Sequence, residues 1–278
     1  MIEYTGKIWI ESDDSMKKIW VYKVTNCHFP GEFFSQEILN YFYFREKSIN
    51  FEIIDPHSER RKEVISLLSE AFEPPELKII VKMPYIDGAE LSDSSYQRSD
   101  TVENIGYIAT LDALVGNFDR FPLLARSEGN LGNILVDKNG YLYPIDGTCL
   151  NVESELYHNK LEYFISNIFE IEAQVEQISI LEPTNSPGWG PLDQPWLRLT
   201  KFLLVNTDLN DPNMEATLKR GALRAIRDVI TLGESFSPNI DILPTEYLKY
   251  QVLAYKKMFT DTIKLLKHIV SISTDKNN

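Results

Sequence analysis

Residues 116–146 read GNFDRFPLLARSEGNLGNILVDKNGYLYPID, and the rest of the chain is best understood from this stretch outward. Within it, NILVDKNGYLYPI sets two apolar runs on either side of Asp137-Lys138-Asn139-Gly140. An Asn-Gly pair between such runs is the strongest short-range signal of a β-hairpin. Polar groups stand at its ends: Asn133 where the first strand begins, Asp146 where the second finishes, and Asp119 in the loop before both. Antiparallel pairing brings such strand ends within about 5 Å of each other, so an amide oxygen and a carboxylate are expected side by side. Oxygen ligands of this kind suit Mg²⁺, a hard cation held by one or two carboxylates together with substrate phosphates and water. Asp119 lies outside the hairpin, in Gly-Asn-Phe-Asp-Arg, where a carboxylate can orient a hydroxyl nucleophile and take its proton. Its neighbour Arg120 is placed either to steady that loop or to pair with a phosphate.

Composition narrows the partners. With 278 residues and 43% hydrophobic content, the chain can bury a full core in one large or two modest domains. A net charge of −13 argues against a nucleic-acid surface, which needs clustered Lys and Arg, and disfavours an anionic membrane. Cys27 and Cys149 form no Cys-x-x-Cys pair, and His28, His57, His158 and His268 show no ligand spacing, so neither a disulfide framework nor a zinc site is indicated. The N-terminal MIEYTGKIWIESDD lacks a basic segment followed by an apolar core, and no apolar run approaches a membrane span. A cytoplasmic protein is expected; export by a route without a recognisable signal would leave no trace here.

The series Asp119-Arg120, Gly132–Asp137 (GNILVD) and Tyr143–Gly147 (YPIDG) resembles the catalytic core of the atypical protein-kinase-like superfamily, including its lipid-kinase branch. The closer likeness is to the actin-fragmin kinase catalytic domain family, in N-x-D-R-[FL]-P at Asn117–Pro122, then an extended loop and G-N-x-x-N at Gly129–Asn133. Ordinary protein kinases separate the catalytic-loop Asp and Asn by four residues, whereas thirteen lie between Asp119 and Asn133. The resemblance covers the hairpin strongly, the first hundred residues moderately and the last hundred hardly at all.

It implies a two-lobed α+β fold: a small β-rich lobe over 1–88, a larger, mostly helical lobe over 89–272, and a frayed tail at 273–278. KIWI at 7–10 and IWVYKV at 19–24 read as an antiparallel pair. Lys23 on the second run resembles the strand lysine that neutralises ATP phosphates in kinases. In GEFFSQEILNYFYF, Phe34, Ile38, Tyr41 and Phe42 recur at helical spacing. Glu37 on that helix resembles the glutamate paired with the strand lysine; Glu32 is the alternative, set aside because first-turn carboxylates are favoured by the helix dipole alone. LKIIVKMPYIDGAEL resembles the hinge between lobes, with Met83 and Tyr85 placed to meet adenine. A Gly-rich loop is expected between the first two strands, yet ESDDSMKK has no glycine and three acidic residues.

TVENIGYIATLDALVG reads as a helix with Ile105, Ile108, Leu111, Leu114 and Val115 inward, closed by Gly116. After Asp146, Gly147-Thr148 replaces the Phe-Gly of most kinases and no Ala-Pro-Glu follows, so no activation segment is located. Further on come Trp189 and Trp196 around a Pro/Gly-rich loop, a candidate substrate platform, and Lys219, Arg220, Arg224 and Arg227, a candidate basic stripe. The resemblance implies an ATP-dependent kinase using Mg²⁺ or Mn²⁺, with Lys23 and Glu37 setting phosphates, Asn133 and Asp146 holding metal, and Asp119 as base. The acceptor would be Ser or Thr of a protein, actin-related by resemblance only. A lipid or small-molecule kinase, a nucleotide-binding pseudokinase and an AMP transferase remain open on the same residues.

Overall fold

A computed structural model describes residues 2–4, 8–25, 29–45, 48–54, 79–93, 98–123, 129–149, 155–168 and 195–276. The chain is mixed α+β, with its longest strands early and its longest helices late. Strands β1 (Ile2–Tyr4), β2 (Trp9–Ser12), β3 (Lys18–Thr25), β4 (Glu52–Ile53) and β5 (Ile79–Pro84) form one antiparallel sheet in the order β1-β2-β3-β5-β4. Between β3 and β4 runs α1 (Phe29–Leu39), which passes into a π-helical turn at Asn40–Phe44. The expected pairing of KIWI with IWVYKV is present as β2 and β3, but β1 was not anticipated. ESDDSMKK therefore joins the second and third strands, and the link between the first two, residues 5–7, lies outside the described residues.

The β2–β3 turn closes on itself. The Asp13 carboxylate accepts the amide N–H groups of Ser15 at 2.9 Å and Lys17 at 3.0 Å, and the hydroxyl of Ser15 at 2.7 Å. Those bonds hold the Asp13 carboxyl below the ordinary aspartate range.

The hairpin stands as expected, with β7 (Ile134–Asp137) paired to β8 (Leu142–Pro144). Asp137 closes the turn by accepting the N–H groups of Asn139 at 2.8 Å and Tyr141 at 2.9 Å, while Gly140 takes φ 76°. A third strand, β6 (Gly88–Glu90), adds to β7. Helix α2 (Thr101–Val115) ends at Gly116 with φ 70°, and α3 (Glu155–Ile168), α4 (Pro195–Asn206), α5 (Met214–Leu232) and α6 (Glu246–Lys276) follow among the described residues. The last helix continues past 273, where a frayed tail was expected; no Gly or Pro stops it before Lys276.

One apolar core runs from α1 through α2 and the hairpin to α5 and α6. A smaller cluster of Tyr22, Ile54 and Ile80 covers the other face of the five-stranded sheet. Phe34 of α1 is fully buried against Phe236, Tyr255 and Phe259, with ring centroids 5.8, 5.9 and 6.3 Å away. Burying each such ring contributes roughly 1.5–3 kcal/mol, so α1 is clamped from behind by the end of the chain.

Helices α2 and α5 approach backbone to backbone. A Cβ on Gly221 would lie 1.9 Å from the Glu103 carbonyl oxygen, and one on Gly106 would lie 2.1 Å from that of Leu218. Gly→Ala inside a helix ordinarily stabilises by about 0.5–1 kcal/mol. Here the sign reverses: Gly221→Ala is expected to destabilise by about 1–3 kcal/mol or more through overpacking, read as a lowered melting temperature in thermal unfolding.

Two surface expectations change. Arg224 turns into the α2–α5 contact, donating to Glu103 at 2.8 Å and Asn104 at 2.7 Å, and Lys219 pairs with Glu215 at 3.0 Å, so no continuous basic stripe forms. Trp196 is fully buried and stacks on Phe164 at 4.7 Å, which removes it from any surface platform. Trp189, Cys27, His28 and His57 fall outside the described residues.

Candidate functional site

The hairpin register sets the site. Ile134 faces Pro144, and one step further the Ile145 N–H donates to the Asn133 carbonyl at 2.9 Å. Asp146 therefore follows directly on the residue paired with Asn133, at the open end of the hairpin. The Asn133 side-chain amide donates through Nδ2 to Asp119 Oδ2, so Oδ1 is the atom that would meet a cation. Asp119 and Asp146 are exposed and Asn133 is buried. The three groups named from the sequence are thus gathered together, with Asp146 at φ 54°, a left-handed conformation that Asn and Asp tolerate better than other side chains.

Lys23 reaches this cluster from the sheet. Its Nζ pairs with Asp146 Oδ1 and, at 3.0 Å, with Glu32 Oε2. Thr25 Oγ1 donates to the other Glu32 oxygen at 3.2 Å. Burial works against the ammonium charge, but the Glu32 and Asp146 carboxylates outweigh it and hold Lys23 above the ordinary lysine range. The lysine's helix partner is Glu32, not Glu37. Five residues along a helix is a rotation of about 140° at 3.6 residues per turn, so a helix that faces Glu32 to β3 turns Glu37 away. Glu37 instead accepts the Asn239 N–H at 2.8 Å.

Burial pushes the Glu37 carboxyl above its ordinary value of 4.5. The native state then holds a proton that the unfolded chain has already released, so Glu37 costs stability above that window. Glu37→Gln keeps an acceptor for Asn239 and loses the buried charge. It is expected to raise the melting temperature at pH 7, with the gain closing as pH falls to 4.5.

Arg120 resolves in favour of steadying the loop. Its side chain is fully buried, its Nη1 pairs with Asp112 Oδ1, and its Nε and Nη2 donate to the Ile145 carbonyl at 3.3 and 3.1 Å. A guanidinium so enclosed does not meet a phosphate, which corrects that half of the expectation. Asp112 and Asn117, which sequence reasoning passed over, complete the support: Asn117 Nδ2 donates to Asp112 Oδ1 at 2.8 Å, and the Asp119 N–H donates to Asn117 Oδ1 at 3.3 Å. Burial pushes the Asp112 carboxyl up, against the pull of the Arg120 guanidinium and the Asn117 amide.

At the end of β5, the Tyr85 N–H donates to the Ile19 carbonyl at 3.0 Å. Alternation along an antiparallel ladder makes Val21–Met83 a bonded pair too. The backbone groups of Met83 and the Tyr85 N–H are therefore spent within the sheet, and the Pro84 carbonyl is directed away from β3. Met83 still shares a sheet face with Lys23, since Met83 faces Val21 and Val81 faces Lys23, and it packs half-buried against the main core.

Searches for relatives do not extend this picture. No protein-family model matches the chain, and no curated protein matches it.

The donor set decides which ion fits. Carboxylate and amide oxygens are hard ligands suited to Mg²⁺ or Mn²⁺ and not to a soft ion. Among the described residues, no three His, Cys, Asp or Glu side chains gather to hold a metal by themselves. Asn133 and Asp146 would supply two ligands, with phosphate oxygens and water completing the shell. That a lysine ammonium already sits against Asp146 marks the position as favourable to positive charge. No helix among the described residues is long and apolar enough to cross a membrane.

Proposed function

We propose that the chain is an Mg-ATP-dependent phosphotransferase with a two-lobed, protein-kinase-like fold, acting on Ser or Thr of a protein. The observation that carries this is Lys23: it bridges Glu32 of α1 and Asp146 of the hairpin, 123 residues away. In protein kinases a lysine on the third strand pairs with a helix glutamate, and a metal-binding Asp must be in place with them. Lys23 is on β3, Glu32 is on the helix that follows, and Asn133 bonds Asp119 while pairing with Ile145, the residue before Asp146. Five antiparallel strands with α1 before residue 88, and mostly helices thereafter apart from the β6-β7-β8 sheet, agree with a small and a large lobe.

In this reading Lys23 meets the nucleotide's phosphates and Glu32 fixes its ammonium. Asn133 and Asp146 hold Mg²⁺, which neutralises charge on the transferring phosphate. Asp119 receives the acceptor's proton and Arg120 holds the loop that carries it. Adenine meets the Pro84 carbonyl and Ile86, with the Met83 side chain at its edge. An actin-related acceptor follows from the resemblance of Asn117–Pro122 and Gly129–Asn133 alone, and actin is the first protein to offer.

Thermal unfolding with ATP, with and without Mg²⁺, tests the binding half. At a hundredfold excess over the dissociation constant, ligand adds about 2.7 kcal/mol, so the melting temperature should rise with Mg-ATP, less with ATP alone, and not at all in Lys23→Met. No shift with any nucleotide and metal would contradict the proposal.

A further inference from the structure

Beneath the exposed carboxylates lies a fully buried ion pair. Asp112 on the last turn of α2 and Arg120 have side chains 2% and 0% exposed. Three segments that the chain separates hang from them. The first is 117–120: Asn117 donates to Asp112 through its side chain and its N–H, each at 2.8 Å, and its own Oδ1 accepts the Asp119 N–H. The second begins the hairpin, where the Asn130 N–H donates to the Arg120 carbonyl at 3.1 Å and leads to Asn133. The third is 145–148: Arg120 grips the Ile145 carbonyl with two nitrogens, immediately before Asp146, and Thr148 Oγ1 donates to Asn117 Oδ1 at 3.3 Å.

We propose that Asp112 is a positioning residue whose pair with Arg120 holds Asp119, Asn133 and Asp146 in one geometry, an inference that rests on the phosphotransferase reading of those three groups. The physical grounds are twofold. A buried ion pair contributes little net stability, because desolvation offsets the attraction and apolar residues of similar volume often serve as well. Holding the fold together therefore does not account for it. What apolar residues cannot replace is direction: a planar guanidinium anchored at one edge by a carboxylate presents its other edge to a single carbonyl, and lysine has no such fork. Metal sites depend on partners of this rank, whose loss typically weakens metal affinity or activity 10–100-fold.

The distinguishing variant is the apolar pair Asp112→Leu with Arg120→Met, which removes both charges, the grip on Ile145 and the side-chain bond from Asn117. Three quantities are read beside wild type: melting temperature, amide hydrogen exchange across 119–120 and 145–147, and Mn²⁺ affinity in the presence of ATP by electron paramagnetic resonance. The proposal expects a folded protein with a melting temperature near wild type, faster exchange at both segments, and Mn²⁺ affinity lowered by roughly 10–100-fold. Should the double variant fail to fold, Arg120→Lys keeps the charge, loses the fork, and is expected to show the same exchange and affinity changes. A folded variant of either kind with wild-type protection and wild-type Mn²⁺ affinity overturns the positioning role. A wild-type protein that binds no Mn²⁺ with ATP overturns the phosphotransferase reading instead, and exchange at the two segments still reports whether the buried pair positions them.

Discussion

Asp146→Asn is expected to abolish Mg²⁺-dependent phosphoryl transfer while leaving the protein folded. Asparagine tolerates the left-handed backbone at φ 54°, and the side chain is 48% exposed, so the substitution strains nothing. The lost contact to Lys23 is solvent-screened and contributes at most about 1 kcal/mol, so the melting temperature should move by only a few degrees. What is lost is the carboxylate that meets Lys23, one residue past the Ile145 that pairs with Asn133. Metal stabilisation of transferring charge amounts to several kcal/mol; a loss of about 4 kcal/mol, at 1.36 kcal/mol per decade, lowers the rate roughly 10³-fold. Steady-state transfer from ATP at saturating Mg²⁺, beside a thermal unfolding curve, checks both halves. A variant within tenfold of wild type would remove Asp146 from the metal site.

Asp119→Asn should separate chemistry from binding. The Asn133 amide keeps an acceptor, because the carboxamide oxygen takes the place of Oδ2, and the Asp119 N–H keeps its bond to Asn117. Nucleotide and metal affinity should therefore hold within about twofold. The substituted side chain cannot accept the acceptor's proton, and general-base loss typically costs about 10²–10⁴-fold in rate. A fall in kcat with unchanged KM for ATP is the expected pattern. A variant that loses nucleotide affinity in step with turnover would make Asp119 a ligand and not a base. Glu32→Gln and Glu37→Gln side by side add a control from α1: the first is expected to impair nucleotide binding through Lys23, and the second to leave it intact.

Much of this arrangement could be read before any coordinates. Asn-Gly at 139–140 announced the hairpin, and the strand ends then placed Asn133 beside Asp146 by geometry alone. The periodicity of 101–115 and the glycine after it marked α2 with the same bounds the structure gives. Glu32 stood only as the alternative to Glu37 because helical spacing says which residues share a face, not which face meets the sheet; that depends on how the Phe34 side of α1 docks on Phe236 and Phe259. Strand β6 was missed because Gly88-Ala89-Glu90 has little strand preference of its own and forms by pairing with β7. Arg120 was ambiguous because arginine is almost never fully buried unless paired, and its partner Asp112 sits on a helix face otherwise read as apolar. Which backbone groups at 83–86 face away from β3 was not legible, because alternation along β3 and β5 is a matter of register, which no single strand reveals.

The measurement that reaches the central claim most directly is label transfer from ATP marked separately at the γ and α positions. Purified protein is incubated with Mg²⁺ and either actin or a cell extract, with Asp146→Asn in parallel. Label from the γ position should pass to Ser or Thr of a protein, and vanish in the variant. Transfer of α label instead would make the chain an AMP transferase on the same residues, and no transfer of either label to protein would contradict a protein kinase.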